Sequence, residues 1–148
     1  MTASPKTAAV QGYWEHFPHD ADVGLRGFGP TREIAFTAAA RGLTAAITDP
    51  AAVEPKQRIQ ITASAPDDEF LFIEWLNALI YEMATRRMLF SRFNVQPTTG
   101  GISAEAWGEP VDVERHQPAA EVKGATLTML EVKKQPDGQW RAQCVIDV

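Results

Sequence analysis

From Val23 to Gly29 apolar residues alternate with small or polar ones, and Gly29-Pro30-Thr31 then makes a turn signal that offers Thr31 as a helix N-cap. A strand feeding a helix is predicted. From Arg32 onward Ala35, Phe36, Ala39, Ala40, Leu43, Ala46 and Ile47 follow helical spacing as far as Thr48-Asp49-Pro50, where proline cannot continue the hydrogen-bond ladder. The many small residues let this helix lie close on a sheet. Arg58 to Ser64 returns to a period of two, with Ile59, Ile61 and Ala63 on one face, the pattern of a half-buried strand.

A second helix is predicted between Asp67-Asp68-Glu69 and Arg86-Arg87, because each charge sign complements the helix dipole at its own end. Phe70, Leu71, Phe72, Ile73, Trp75, Leu76, Leu79, Ile80 and Met83 cover most of its circumference, so it should be largely buried, with Glu74, Asn77 and Glu82 marking the exposed remainder. Met88 to Val95 and Gly101 to Gly108 read as strands joined by Gln96-Pro-Thr-Thr-Gly100, and a polar loop from Glu109 to Glu121 follows. Two further runs, Ala125 to Lys133 and Gln139 to Val148, flank the turn signal Gln135-Pro-Asp-Gly138. This order argues for the α+β class, as a single two-layer domain with two helices packed on a largely antiparallel or mixed β-sheet. Residues 1–12 carry no hydrophobic period and read as a flexible leader, which leaves 13–148 as the folded domain.

Composition narrows the function classes. A chain of 148 residues with 45% hydrophobic and 22% charged content suits one globular domain and should bury about two thirds of its surface. Fourteen Lys and Arg against nineteen Asp and Glu give a net charge of −5, so direct tight binding of nucleic acid is not expected. The single Cys144 has no intrachain partner and belongs to no CxxC pair, which argues against a disulfide-stapled secreted domain. No stretch approaches the roughly 20 apolar residues of a membrane span, and no signal-type apolar core lies near Met1. The expectation is a cytoplasmic protein with no membrane partner.

The densest ionisable cluster is His16-Phe-Pro-His19-Asp20-Ala-Asp22. Two imidazoles with a carboxylate suit zinc, and carboxylates with main-chain oxygens suit calcium or magnesium; a solvated loop whose Asp side chains cap turns fits the same residues. A second acidic place is Asp147 beside Val148, where an α-carboxylate next to an Asp offers two oxygens to a hard cation and a frayed charged end is the plainer alternative. Spacing alone does not bring Asp22 and Asp147 together. Lys123 and His116 read as surface residues, and Cys144, inside an apolar alternation, reads as core rather than nucleophile. GxSxG, Walker A, GxGxxG and HExxH motifs do not occur, so an autonomous enzyme is poorly supported.

Taken in order, Trp14-Glu-His16, His19-Asp-Ala-Asp22-Val-Gly24, Thr31 with Ala35-Phe36, Gly108-Glu109, His116 to Pro118, Glu121-Val-Lys123 and Asp147-Val148 resemble the archease family over nearly the whole chain from Tyr13. The resemblance implies an accessory protein of an RtcB-type RNA ligase in tRNA splicing or RNA repair, not itself catalytic. It would promote guanylylation of the ligase's active-site histidine and let the ligase turn over repeatedly. It also implies a metal site formed by Asp22, Asp147 and Val148, and a part in ligase activation for Lys123. Oxygen ligands favour a divalent ion such as calcium, magnesium or manganese over zinc, with calcium the ion expected in a structure.

Around that site, His19 is expected to orient the Asp22 loop by hydrogen bonding, and Asp20, standing where the family usually has Thr, adds a carboxylate. Arg32 and Ile34 also depart from the family's usual residues, as does Leu127-Thr-Met129 after the lysine motif. Two alternative readings stand beside the accessory role: a small stand-alone metal-dependent hydrolase or phosphotransferase built on Asp22, Asp147 and Lys123, and a chaperone-like interaction module.

Overall fold

The computed structural model describes residues 12–148, so the expected leader lies outside the described residues except for Gly12. The chain begins with a hairpin of β1 (Tyr13–His19) and β2 (Asp22–Gly29), followed by α1 (Arg32–Ala45) and a 3₁₀ turn at Pro50–Ala52. Strand β3 (Gln57–Ser64), helix α2 (Asp68–Arg86) and the long hairpin of β4 (Met88–Thr98) and β5 (Gly101–Pro110) come next. A single helical turn, α3 (Val113–His116), precedes β6 (Gly124–Ala125), β7 (Glu131–Lys134) and β8 (Trp140–Asp147).

This is the expected α+β class, and every strand pairing is antiparallel. The strands are shared between two sheets. One runs β1-β2-β8-β6, with β7 also on β8, and the other runs β3-β5-β4. The two long helices, α1 and α2, each touch both sheets.

The first helix starts where its cap predicts, with Thr31 accepting a hydrogen bond from the Ile34 amide at 3.1 Å. On one side it presses Ala35 and Ala39 against Gly27 of β2, so closely that a Cβ at Gly27 would lie 2.2 Å from the Ala35 carbonyl oxygen. On the other side Thr44 donates its hydroxyl to the carbonyl of Phe90 in β4 at 2.6 Å. The helix ends two residues before Ile47, which still packs into the core from the segment that follows.

The second helix is capped by Asp67, which accepts from the Phe70 amide, and closes at Arg87 in the left-handed conformation (φ 54°). Leu71, Phe72, Ile73, Trp75, Leu76, Leu79 and Ile80 are buried as expected, whereas Phe70 in the first turn is exposed and Met83 half-buried; Trp75 donates its indole N–H to the carbonyl of Phe36, tying the two helices together. Strands β4 and β5 run further than predicted. Their turn shrinks to Thr99 and Gly100, because Gln96, Pro97 and Thr98 all keep strand pairing.

The first strand is the element that patterning missed. Residues Tyr13 to His19 include no fully buried position, being an edge strand paired only with β2. The hairpin turns at Asp20 (φ 52°) and Ala21, a left-handed position that a short polar side chain tolerates.

The contact of α1 with β2 gives a first prediction. Gly27→Ala should lower the unfolding free energy by about 1–3 kcal/mol, the usual cost of overpacking, because the added methyl meets helix backbone rather than a movable side chain. Urea unfolding with an unchanged midpoint would contradict this packing.

Candidate functional site

The pairing of β2 with β8 sets Val23 opposite Ile146. Asp22 precedes Val23 and Asp147 follows Ile146, so both acids stand just past the last pair of this ladder. The β1 partner of Asp22 is His19, and the β6 partner of Asp147 is Gly124. His19 and Asp22, opposite one another in an antiparallel ladder, project to the same face, and Asp147 lies at the same end of the sheet. Chain segments more than a hundred residues apart are thereby brought together.

Hydrogen bonds tighten this corner. The Val148 amide donates to Asp22 Oδ1 at 3.3 Å, and the Lys123 amide donates to the Asp147 carbonyl at 2.8 Å. Asp22, Asp147 and Val148 are each half-buried, and the Lys123 side chain is exposed. Among the described residues Asp22, Asp147 and Lys123 are in no ion pair. Like charges brought close across a ladder are destabilising, so two carboxylates at this end of it suit a neutralising cation.

Donor chemistry agrees with that fit. The carboxylates of Asp22 and Asp147 and the main-chain oxygens at Val148 are hard donors. Among the described residues no three His, Cys, Asp or Glu side chains form an ion-holding group by themselves. Any ion held at this corner would need main-chain oxygen beside the two carboxylates.

The other predicted residues fall in several places. Asp20 points to solvent at the hairpin turn, its side chain 93% exposed, and the His19 ring lies 4.0 Å from it. His16 faces α1 instead, with Nε2–H donating to the Gly42 carbonyl at 2.8 Å. The cluster His16 to Asp22 is thus split by the alternation of β1 and does not act as one ligand group. Cys144 is buried in β8, and burial pushes its thiol up to about 12, which fits the core reading.

His116 was expected at the surface and is instead 3% exposed. Its Nδ1 accepts the Asp112 amide at 2.9 Å, which leaves Nε2–H to donate to Glu109 at 3.0 Å. Glu109, assigned to a polar loop by sequence, ends β5 with an exposure of 3%. It also accepts from Arg115 through both oxygens, at 2.6 and 2.9 Å, and from the Glu54 amide at 2.7 Å. The Arg115 guanidinium, with help from the Glu54 amide and His116, outweighs burial and holds this carboxyl down at about 2. The network is completed by Thr48, which donates to the His116 carbonyl, and by the Ala119 amide, which donates to the Ile47 carbonyl.

This structure pins the segment that leads from β5 to Lys123. Its sequence signal was only the presence of Glu109 and His116 among the quoted motifs, because a lone Glu and a lone His in a polar stretch read as solvated.

Comparison with known proteins places the chain clearly. Residues 14–148 match the family model described as "Archease protein family (MTH1598/TM1083)". A relative named Protein archease from Thermococcus gammatolerans is 37% identical over 139 residues, covering 91% of this chain and 98% of that one. Its namesake from Pyrococcus furiosus is 36% identical over the same span and coverage. The solution structure of Methanobacterium thermoautotrophicum protein 1598 superposes with a TM-score of 0.74 at 31% identity, covering 91% of this chain and 98% of that one.

The buried Glu109 network makes a prediction about acid stability. Its folded carboxyl lies at about 2 against an ordinary 4.5, so its contribution is whole above 4.5 and is lost as the pH falls from there towards 2. Glu109→Gln should lower stability at neutral pH by about 1–3 kcal/mol, the cost of leaving buried partners unsatisfied. Urea midpoints of the two proteins should converge on acidification through that window; parallel pH profiles would contradict the network.

Proposed function

The chain belongs to the archease family, and from that membership we propose that it is an accessory protein that activates an RtcB-type RNA ligase. The ligase joins RNA ends bearing a 3′-phosphate or 2′,3′-cyclic phosphate to 5′-hydroxyl ends, using GTP and a divalent metal. The accessory chain promotes guanylylation of the ligase's active-site histidine and so restores it for repeated rounds, in tRNA splicing or RNA repair.

The observation that carries this reading is the convergence of Asp22, Asp147, Val148 and Lys123 at one end of the β2–β8 ladder. Asp22 and Asp147 would hold a divalent ion together with the Val148 main chain, and all-oxygen ligation selects calcium, magnesium or manganese over zinc. When bound, the ion supplies a positive centre for phosphate oxygens. Lys123, whose amide bonds the Asp147 carbonyl, carries an exposed side chain available to a nucleotide phosphate or an acidic ligase surface. Asp22 also accepts the Val148 amide, so it fixes the end of β8 while presenting its second oxygen. A net charge of −5 is no handicap, because the partner contacted is a protein rather than RNA itself.

The test counts ligations per ligase molecule with this chain substoichiometric and broken RNA in excess. Wild type should convert single ligation into repeated ligation. Asp22→Ala and Asp147→Ala should keep thermal stability, bind calcium about 10–100-fold more weakly and lose the stimulation; Lys123→Ala should bind calcium normally and lose the stimulation. Full stimulation by chelator-stripped Asp22→Ala and Asp147→Ala would refute the metal role, and no stimulation by wild type would refute the accessory role.

A further inference from the structure

A cleft of about 670 Å³ opens between β1 and β4, each an edge strand of its own sheet, with α1 forming the side between them. The first strand contributes Trp14, α1 contributes Thr37, Ala38 and Arg41, and β4 contributes Arg92 and Phe93. No Asp or Glu is among the described residues that line it. Trp14 stands five positions along β1 from His19, roughly 17 Å at the rise of a strand. The cleft is therefore separate from the carboxylate corner.

Two unpaired guanidiniums meet here. Among the described residues six of the nine arginines are in ion pairs, and of the three that are not, Arg41, Arg87 and Arg92, two line this one cleft. Both are exposed. The acids nearest to them along the chain are already engaged. Glu15, on the other face of β1 from Trp14, pairs with Arg26 at 3.1 Å, and Glu33, one turn before Thr37, pairs with Arg32. The eleven residues ahead of Gly12 contain no Asp or Glu, so the start of the chain brings no side-chain carboxylate to the arginines.

The cleft's groups are also held in place. Arg92 lies over the Trp107 ring, 4.9 Å from its centroid, which positions the guanidinium without neutralising it. The half-buried Trp14 ring lies 4.7 Å from that of His16, and His16 is anchored on the Gly42 carbonyl of α1. In a chain of net charge −5, two bare guanidiniums in one concave place select an anion.

We infer that this cleft binds a nucleoside polyphosphate, with Arg41 and Arg92 on the phosphate oxygens and the Trp14 ring against the base. Guanidinium forks match phosphate oxygens two at a time, and stacking on tryptophan accepts any base. The volume falls within the roughly 300–1,000 Å³ of small-molecule sites. A nucleic-acid polymer fits less well, because its further phosphates run against a surface of net negative charge. An acidic peptide matches the arginines and offers Trp14 no planar partner.

The experiment titrates the full chain calorimetrically with ATP and with GTP, and follows the tryptophan indole N–H signals by NMR, with the Trp14 signal assigned from Trp14→Phe. Both nucleotides should bind and shift the Trp14 signal. Arg41→Ala and Arg92→Ala should each weaken binding at least tenfold with thermal unfolding as in wild type. Arg87→Ala, which removes the same charge outside the cleft, should bind as wild type does. Should Arg92→Ala unfold the chain by baring Trp107, the exposed Arg41→Ala carries the test alone.

No binding of either nucleotide, or wild-type affinity in the folded Arg41 and Arg92 variants, would overturn the site. Equal weakening by Arg87→Ala would assign the effect to overall charge and overturn it too. Inorganic triphosphate that binds as tightly as ATP, with the Trp14 signal unmoved by ATP, would leave a phosphate locus and overturn the nucleotide. A glutamate-rich peptide that displaces ATP and binds more tightly would assign the cleft to a protein segment instead. Neither ligase nor calcium enters this titration, so its failure leaves the accessory role to its own test.

Discussion

Strand β2 meets β8 along seven register pairs, from Val23 opposite Ile146 to Gly29 opposite Trp140, and the rest of the larger sheet hangs on that ladder. On one side it carries β1, and on the other it carries β6 and β7. Leu25 and Cys144 face each other as a fully buried pair within it. Gly27, paired with Ala142, keeps the surface low enough for α1 to approach backbone to backbone. Weakening this ladder would therefore loosen the bed of the first helix and separate the carboxylates of Asp22 and Asp147 in the same event.

Two acidic regions of the molecule answer the problem of buried or crowded charge in opposite ways. Glu109 is satisfied wholly from within, by Arg115, His116 and the Glu54 amide, and nothing is left for a ligand. Asp22 and Asp147 lack a cationic partner in the described chain and remain half-buried. The first arrangement has the chemistry of a strut, which holds the approach to Lys123; the second leaves carboxylate oxygens open at the surface. Placing them at the two ends of one connecting segment ties the rigidity of that segment to the position of the lysine.

Sequence patterning recovered what local physics governs. Both long helices, the cap at Thr31, the acidic start of the second helix at Asp67-Asp68-Glu69, the strand at 57–64 and the turn at Pro136–Gly138 were all legible, because each depends on spacing and on a few residues at its ends. Strand β1 was not, since an edge strand with no fully buried position carries no run of alternating apolar residues to read. The burial of Glu109 and His116 was hidden because their partners lie on other segments: Thr48 and Glu54. Asp22 and Asp147 were each visible as ionisable residues. Their meeting depends on a strand register across the whole chain, which no local window contains; only the resemblance to a family supplied it.

The strand at the middle of the larger sheet, β8, is also the last of the described strands along the chain. Helices α1 and α2 and the β3-β5-β4 sheet can assemble from earlier residues, whereas β1 and β2 must wait as an unmatched hairpin until Trp140 to Asp147 arrive. Long-range pairing of this kind is slow, and waiting edges are prone to stray association. The acidic corner consequently exists only after synthesis has passed Asp147, so a nascent chain cannot yet bring the two carboxylates together. Their meeting and the completion of the larger sheet become one event.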